Sequence, residues 1–347
     1  MTKRERGFTL VELIVAMGIS LAVLGGALAA FMSALQINEM AGLVSDASQN
    51  LRAGTNLLSR DLLQAGRGLP IGGIPIPSGV GSAPIARPGP QGAALTFDNV
   101  DGTTLPALVP GPALGPQIDG RATDMITILA GDPVLPSLVL SPMPAAAGQA
   151  TLAADGASLD VGATTTWITD PLLGVKPGDL ILFTNALGNA IQTVTGTDGV
   201  SRIDFAANDV FNLNQRGAAQ GTVMQLSAGG IFPQTTATRV VMYTYYVDTV
   251  TTPKEPRLVR RINARAAQPL AGVVEDLEIS FDLVDGETNP TNVKEPVAPN
   301  TPNEIRKVNL HVGVRSDRRS SQRHQYLRQH VTTVVSVRSM AFVNRYL

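Results

Sequence analysis

The chain has 347 residues, 44% of them hydrophobic and 16% charged, with 34 Gly, 24 Pro and a formal net charge of −1. That length holds a membrane segment plus one large domain or two small ones, and the near-neutral balance gives no ground for a polyanionic partner. So much Gly and Pro favours strands and loops over a helical enzyme. The absence of cysteine excludes a disulfide framework, a thiolate metal site and a Cys nucleophile.

Residues 1–7 (MTKRERG) set Lys3, Arg4 and Arg6 against Glu5 and form a basic leader. An apolar run follows, without formal charge from Leu13 to Leu35, long enough for a hydrocarbon core of about 30 Å. Three readings compete for it. A cleaved secretory signal fits the small residues at Ala27-Leu28-Ala29, but the stretch ahead of them exceeds the usual apolar region of roughly 7–15 residues. A plain membrane anchor fits the length and gives Glu12 no role, although a carboxylate at a bilayer centre costs about 2.5–3.5 kcal/mol. The third reading is processing after Gly7, which makes Phe8 the N-terminus and Glu12 the fifth residue of the mature chain.

The stretch Gly7-Phe8-Thr9-Leu10-Val11-Glu12 resembles the type IV prepilin signature. The resemblance implies that a prepilin peptidase cuts between Gly7 and Phe8 and N-methylates Phe8. It also implies an assembly role for Glu12, which pairs with the N-terminal amine of a neighbouring subunit. Breaking such a pair in apolar surroundings strands a charge, at a cost of about 3–5 kcal/mol. The plainer alternative for Glu12 is a polar side chain near a helix end that snorkels to the interface. The basic leader holds residues 1–7 in the cytoplasm and leaves the bulk of the chain outside.

Beyond the apolar run, Met40, Val44, Ala47, Leu51, Thr55, Leu58 and Leu62 recur at three- and four-residue steps, one face of an amphipathic helix. Asn38, Glu39, Asp46, Gln49, Asn50, Arg52, Arg60 and Asp61 take much of the remainder, and Gly66 and Gly68 before Pro70 signal a stop. The pattern predicts one helix from Thr9 to Ala65, about 85 Å long. Its part in 8–35 lies in the membrane or filament core, and its part in 36–68 lies on a globular head. Gly25-Gly26, inside the apolar half, is either a close-packing site or a point of helix flexibility during assembly.

Residues 69–120 are Pro/Gly-rich, and fourteen of the 24 prolines fall between Leu69 and Ala150. Runs such as PGPQG and VPGPALGP read as turns and polyproline II, which predicts a long surface excursion, with a ligand-binding loop as the alternative. Between Leu69 and Val200 there are ten Asp, no Glu and three cations, a net of −7.

Residues 121–347 read as a β-rich head. Strands are predicted at Ala122–Ala130, at Asp179–Thr184 with Ala190–Thr195, and at Arg239–Val247 with Arg257–Ile262. Period-two alternation marks Leu277–Leu283, Lys307–Arg315 and Leu327–Val337, the pattern of half-buried antiparallel sheet. The fold class is therefore α+β, a long N-terminal helix packed on an antiparallel head.

The stretch LRAGTNLLSRDLLQAGRG, then ATDMITI, PGDLILF, VVMYTYYVD, LVRRI, LHVGVRS and LRQHVTTVVSVRS in order, resembles W-type minor pilins of the type IV pilus. J-type pseudopilins of type II secretion have a related tail. The resemblance implies a structural subunit of a tip or priming complex that promotes pilus assembly. Its partners would be the prepilin peptidase, other minor pilins, the major pilin and an inner-membrane assembly platform. It would be a single-pass inner-membrane protein with its head outside the cytoplasm, and then part of the filament tip. The alternatives are a J-type pseudopilin and a tip adhesin or DNA-binding subunit.

No nucleophile elbow, phosphate loop or paired catalytic motif occurs, and neither a cofactor nor a metal is expected. His311, His324 and His330 lack a carboxylate cluster at ligand spacing, and Asp282, Asp285 and Glu287 lack the alternation and closing Glu of a calcium loop. From Ile305 to Leu347 nine Lys/Arg face one Asp, a net of +8. Without interleaved aromatic residues for stacking, that excess points to pairing with the acidic middle of the chain or of a neighbour, with DNA as the alternative.

Overall fold

The computed structural model describes residues 8–100, 102–321 and 324–340. Helix α1 spans Leu10–Gln64, fifty-five residues without a break. Thr9 caps it in extended conformation, and Ala65 ends it. Gly66 then turns left-handed at φ +78° and its N–H donates to the Leu129 carbonyl at 2.9 Å, so the chain passes straight from helix to sheet. A Cβ there would meet Met340 Cγ at 3.2 Å and Ala107 Cβ at 3.4 Å, and glycine alone relieves both the conformation and the crowding.

Only the outer half of α1 is buried, through Leu43, Ala47, Leu51, Gly54, Thr55, Leu58, Asp61 and Leu62. Leu43 opens this face where the pattern pointed to Met40 and Val44, and Val44 stays exposed. At Gly54 the helix lies tight against the head: a Cβ would lie 3.0 Å from Leu258 Cδ2 and 3.1 Å from Ala271 Cβ.

The head holds two principal antiparallel sheets. The larger has eight strands: β1 (Leu108–Gly111), β2 (Met125–Gly131), β3 (Leu138–Leu140), β4 (Leu180–Asn185), β5 (Gly188–Thr193), β6 (Thr235–Asp248), β7 (Arg257–Ile262) and β8 (Gln268–Ala271). Its spine is β6, fourteen residues long. One edge of β6 pairs with β4 and then β7, and the other pairs with β3 and then β2. The smaller sheet runs β9 (Val274–Leu283), β10 (Ile305–Arg315), β11 (Arg328–Ser336). Here Leu277, Ile279 and Phe281 turn inward with Val308, Leu310 and Val312, as their alternation requires.

The helix face lies against both sheets. Ala47, Leu51, Leu58 and Leu62 share one core with Ile126, Ile128, Tyr245, Leu258, Leu277 and Leu310. The opposite face of the large sheet is where expectation and structure part. Residues 69–120 do not form a bare excursion. They carry short ladders, Ile74–Pro75 with Thr104–Leu105 and Ile85–Arg87 with Leu95–Phe97. Ile74, Ile76, Ile85, Phe97 and Leu105 bury against Leu180, Leu182, Val240 and Met242. The segment is a lid on the sheet's second face. Two- and three-residue strands between prolines are too short to show any hydrophobic period, which is why the lid reads as loop.

A side lobe is built around Trp167, Phe183 and Phe205, the last two edge to face with centroids 5.5 Å apart. Its four-stranded sheet contains Thr151–Leu152, Ser158–Asp160, Gly196–Thr197 and Arg202–Asp204.

A buried charged contact interrupts the apolar seat of α1. Asp61, 1% exposed, accepts from the Tyr245 hydroxyl at 2.6 Å and from Arg260 Nη1 at 3.0 Å. Removing the carboxylate leaves a half-buried guanidinium without its anion, so Asp61→Ala should cost about 3–5 kcal/mol. Tyr245→Phe, which keeps the ion pair, should cost about 1.5–3 kcal/mol. Burial, reinforced by Asp61, pushes the Tyr245 phenol above its ordinary value of 10.0. Above that pH the unfolded chain releases a proton that the folded chain keeps, so stability should fall as pH rises through 10.0. Denaturant titration of the detergent-solubilised chain across that range checks the sign, and the fall should be smaller in Tyr245→Phe.

Candidate functional site

The inner half of α1 is built to be covered by something other than its own head. From Leu10 to Leu35 no residue is buried, although Leu13, Ile14, Leu21, Leu24, Leu28 and Phe31 stand among them. The segment has no proline and one ionisable side chain, Glu12. α1 is long and apolar enough to cross a membrane.

Glu12 sits in the first turn. Its carboxylate Oε2 accepts from the Thr9 N–H at 2.9 Å and from the Thr9 hydroxyl at 3.0 Å, while the Glu12 N–H donates to Thr9 Oγ1 at 3.3 Å. This reciprocal capping box folds the carboxylate back over the helix start, one residue from Phe8. The N-terminal dipole of α1 favours a negative charge at that place. The carboxylate is exposed, so it can exchange its backbone partner for an external cation without unfolding the helix. Phe8 is itself 86% exposed. Gly7 lies outside the described residues. Gly25 and Gly26 lie within unbroken helix, and nothing stands within 4 Å of where their side chains would begin. Their smallness serves no contact among the described residues.

Asp61 is the residue that the sequence reading misplaced. Residue type groups it with Arg60 off the apolar face, yet it lies on the buried face with the seat of the helix. The spacing holds the signal, because Asp61 follows Leu58 by three residues and precedes Leu62, inside the same apolar stripe.

The other singled-out side chains resolve into structural contacts. Asp285 accepts from the backbone of Glu287, Thr288 and Asn289 and from the Thr288 hydroxyl, which holds its carboxyl down to about 2. Asp282 accepts from the Asn292 N–H and from Asn309 Nδ2. His311 and His330 come together on the outward face of β10 and β11 with ring centroids 5.5 Å apart. His311 Nδ1 lies 3.0 Å from Thr332 Oγ1, and its Nε2 is 3.8 Å from Asp276. His324 lies apart in the β10–β11 connection. Among the described residues no group of three His, Asp or Glu is placed to hold a metal ion.

Charge pairing also differs from the expected joining of basic tail to acidic middle. Arg328 reaches Asp119 at 3.5 Å, but the closer partner of the tail is Glu275, 2.6 Å from Arg315 and 2.7 Å from Arg328. The buried aspartates of the middle are taken by Arg239 on Asp132, Arg265 on Asp179 and Lys294 on Asp124. One aromatic ring does enter the basic tail: Tyr326 lies under Arg315 at 3.8 Å, with Arg319 at 5.4 Å from its centroid.

Residues 2–28 match the family described as the prokaryotic N-terminal methylation motif. Searches of curated proteins and of solved structures return no match. The matched segment covers the basic leader, Gly7, Phe8, Glu12 and the apolar start of α1, and it opens a helix whose far end is seated on an antiparallel head. That motif and this architecture support a type IV pilin-like reading of the chain.

Proposed function

We propose that this chain is a W-type minor pilin that joins the tip or priming complex of a type IV pilus and promotes pilus assembly. The observation that carries the reading is the unburied inner half of α1, opened by the methylation motif and bearing Glu12 in its first turn. Cleavage after Gly7 creates a cation at Phe8 beside that carboxylate. A neighbour's Phe8 amine then competes with the Thr9 N–H for Glu12, and the stronger charge-assisted partner wins as the surroundings become apolar. Gly25-Gly26 supplies either close helix approach or local loosening as subunits pack. The protein works by assembly with other minor pilins, the major pilin and the inner-membrane platform, and it needs no catalytic group. A J-type pseudopilin would use the same N-terminus in a secretion filament.

Two substitutions separate capping from pairing. Glu12→Val should leave membrane insertion intact, since the segment becomes more apolar, and should lower incorporation into filaments. Glu12→Gln keeps a capping-box partner at that position but carries no charge. If pairing is the role, incorporation measured by immunoblot of sheared filaments falls in both variants. Full recovery in Glu12→Gln would make Glu12 a cap only.

The head points to a position at the filament end. Subunits inside a helical lattice have others stacked above and below, whereas this chain carries roughly 280 residues beyond α1, side lobe and lid included. Such bulk is accommodated where nothing stacks above. Immunogold directed at the head should label one filament end or membrane-bound initiation complexes. Regular label along the shaft would refute the placement.

A further inference from the structure

We propose that the described part of the β10–β11 connection, residues 316–321 and 324–327, is an electrostatic foot that rests on the anionic headgroups of the outer face of the inner membrane. The proposal builds on the reading of α1 as an anchor. Its first support is position. Counting outward from the apolar run, Glu39 is the first helix side chain to hydrogen-bond the head among the described residues, and its partner is the Ser321 hydroxyl of this connection. Glu39 lies four residues beyond Leu35, a rise of about 6 Å. The headgroup layer is about 5–8 Å deep on each side, so Ser321 is held at headgroup level.

The second support is charge. Among the described residues of the connection, Arg318 and Arg319 stand beside Asp317. Arg318 and Arg319 are exposed, and neither forms an ion pair among the described residues. Arginine clusters beside the outer end of a membrane span run against the usual distribution, which places them inside. An outward cluster at this height therefore calls for a local partner.

The third support is order. Ser316 Oγ donates to the Arg318 carbonyl at 2.6 Å and accepts from the Leu327 N–H at 3.1 Å. The Ser320 N–H donates to the Gln325 carbonyl, and the His324 N–H donates to the Ser320 carbonyl. Tyr326 is clamped by Arg315, itself fixed to Glu275. The Arg318 and Arg319 guanidinium groups, without ion pairs among the described residues, are thus presented from a braced loop, Arg319 beside the Tyr326 ring. Each basic side chain near an anionic surface raises binding about fivefold, so the pair shifts the balance between seated and lifted head by about 25-fold. The attraction decays over about 8 Å at physiological salt. A foot of this strength orients the head before assembly and releases when the subunit is drawn out of the bilayer.

The chain has no cysteine, so one introduced cysteine is a unique label site. The full chain, labelled with a fluorophore at Gln325→Cys, is inserted into vesicles of phosphatidylcholine alone or with phosphatidylglycerol, each carrying a headgroup-borne quencher. Quenching should be stronger with phosphatidylglycerol. It should be lost at high salt and reduced in Arg318→Gln/Arg319→Gln by about 25-fold in the seated-to-lifted ratio. Equal quenching in both lipids, or no change in the double variant, overturns the proposal. A label at Ala29→Cys read against an acyl-chain quencher reports insertion separately. If it is not quenched, the anchor reading fails and the foot with it. A Gln325 label that responds to added duplex DNA but not to phosphatidylglycerol assigns the arginines to nucleic acid and also overturns the proposal.

Discussion

Where α1 meets the head, apolar contact alone leaves the helix free to slip. Faces of Leu and Ala repack against Val and Ile with small losses, often below about 1.5 kcal/mol. Asp61 removes that freedom. Its carboxylate is buried, and Tyr245 and Arg260 meet it from neighbouring strands of the large sheet. Moving the helix by one turn would bury a charge without partners, which costs several times more than repacking. Gly54 acts with it, because a Cβ there would crowd Leu258 Cδ2 at 3.0 Å and Ala271 Cβ at 3.1 Å. Together they set which residues of α1 face the head, and hence how far the naked inner half projects.

That projection gives the two halves of α1 opposite logic. The outer half follows globular rules, with an apolar stripe toward two sheets and polar residues elsewhere. The inner half is apolar all round and buries nothing within the chain, a pattern that belongs to lipid or to a bundle of like helices. Glu12 begins this second half with its carboxylate occupied by its own cap. The Thr9 N–H and hydroxyl and the helix dipole stabilise this carboxylate at the start of the apolar half.

Much of this was legible before the fold. The helix was expected from Thr9 to Ala65 and runs Leu10–Gln64, because proline is absent and Gly66 and Gly68 follow at once. The alternating strands near 277, 307 and 327 stand where period two placed them, since each has one face on the core and one in water. Two features escaped for physical reasons. Asp61 was sorted by residue type, whereas its position on the stripe decided its environment. The lid of 69–120 buries isolated residues such as Ile74, Ile85 and Phe97 from strands of two or three residues, which leaves no period to detect.

The central claim is that the N-terminus of this chain is remade before it works. Intact-mass analysis and N-terminal sequencing of protein recovered from membranes or sheared filaments test that claim most directly. The account predicts a mature chain that begins at Phe8 and carries one added N-methyl group. An unprocessed chain that still begins at Met1, or a mature terminus near Ala30, would contradict it.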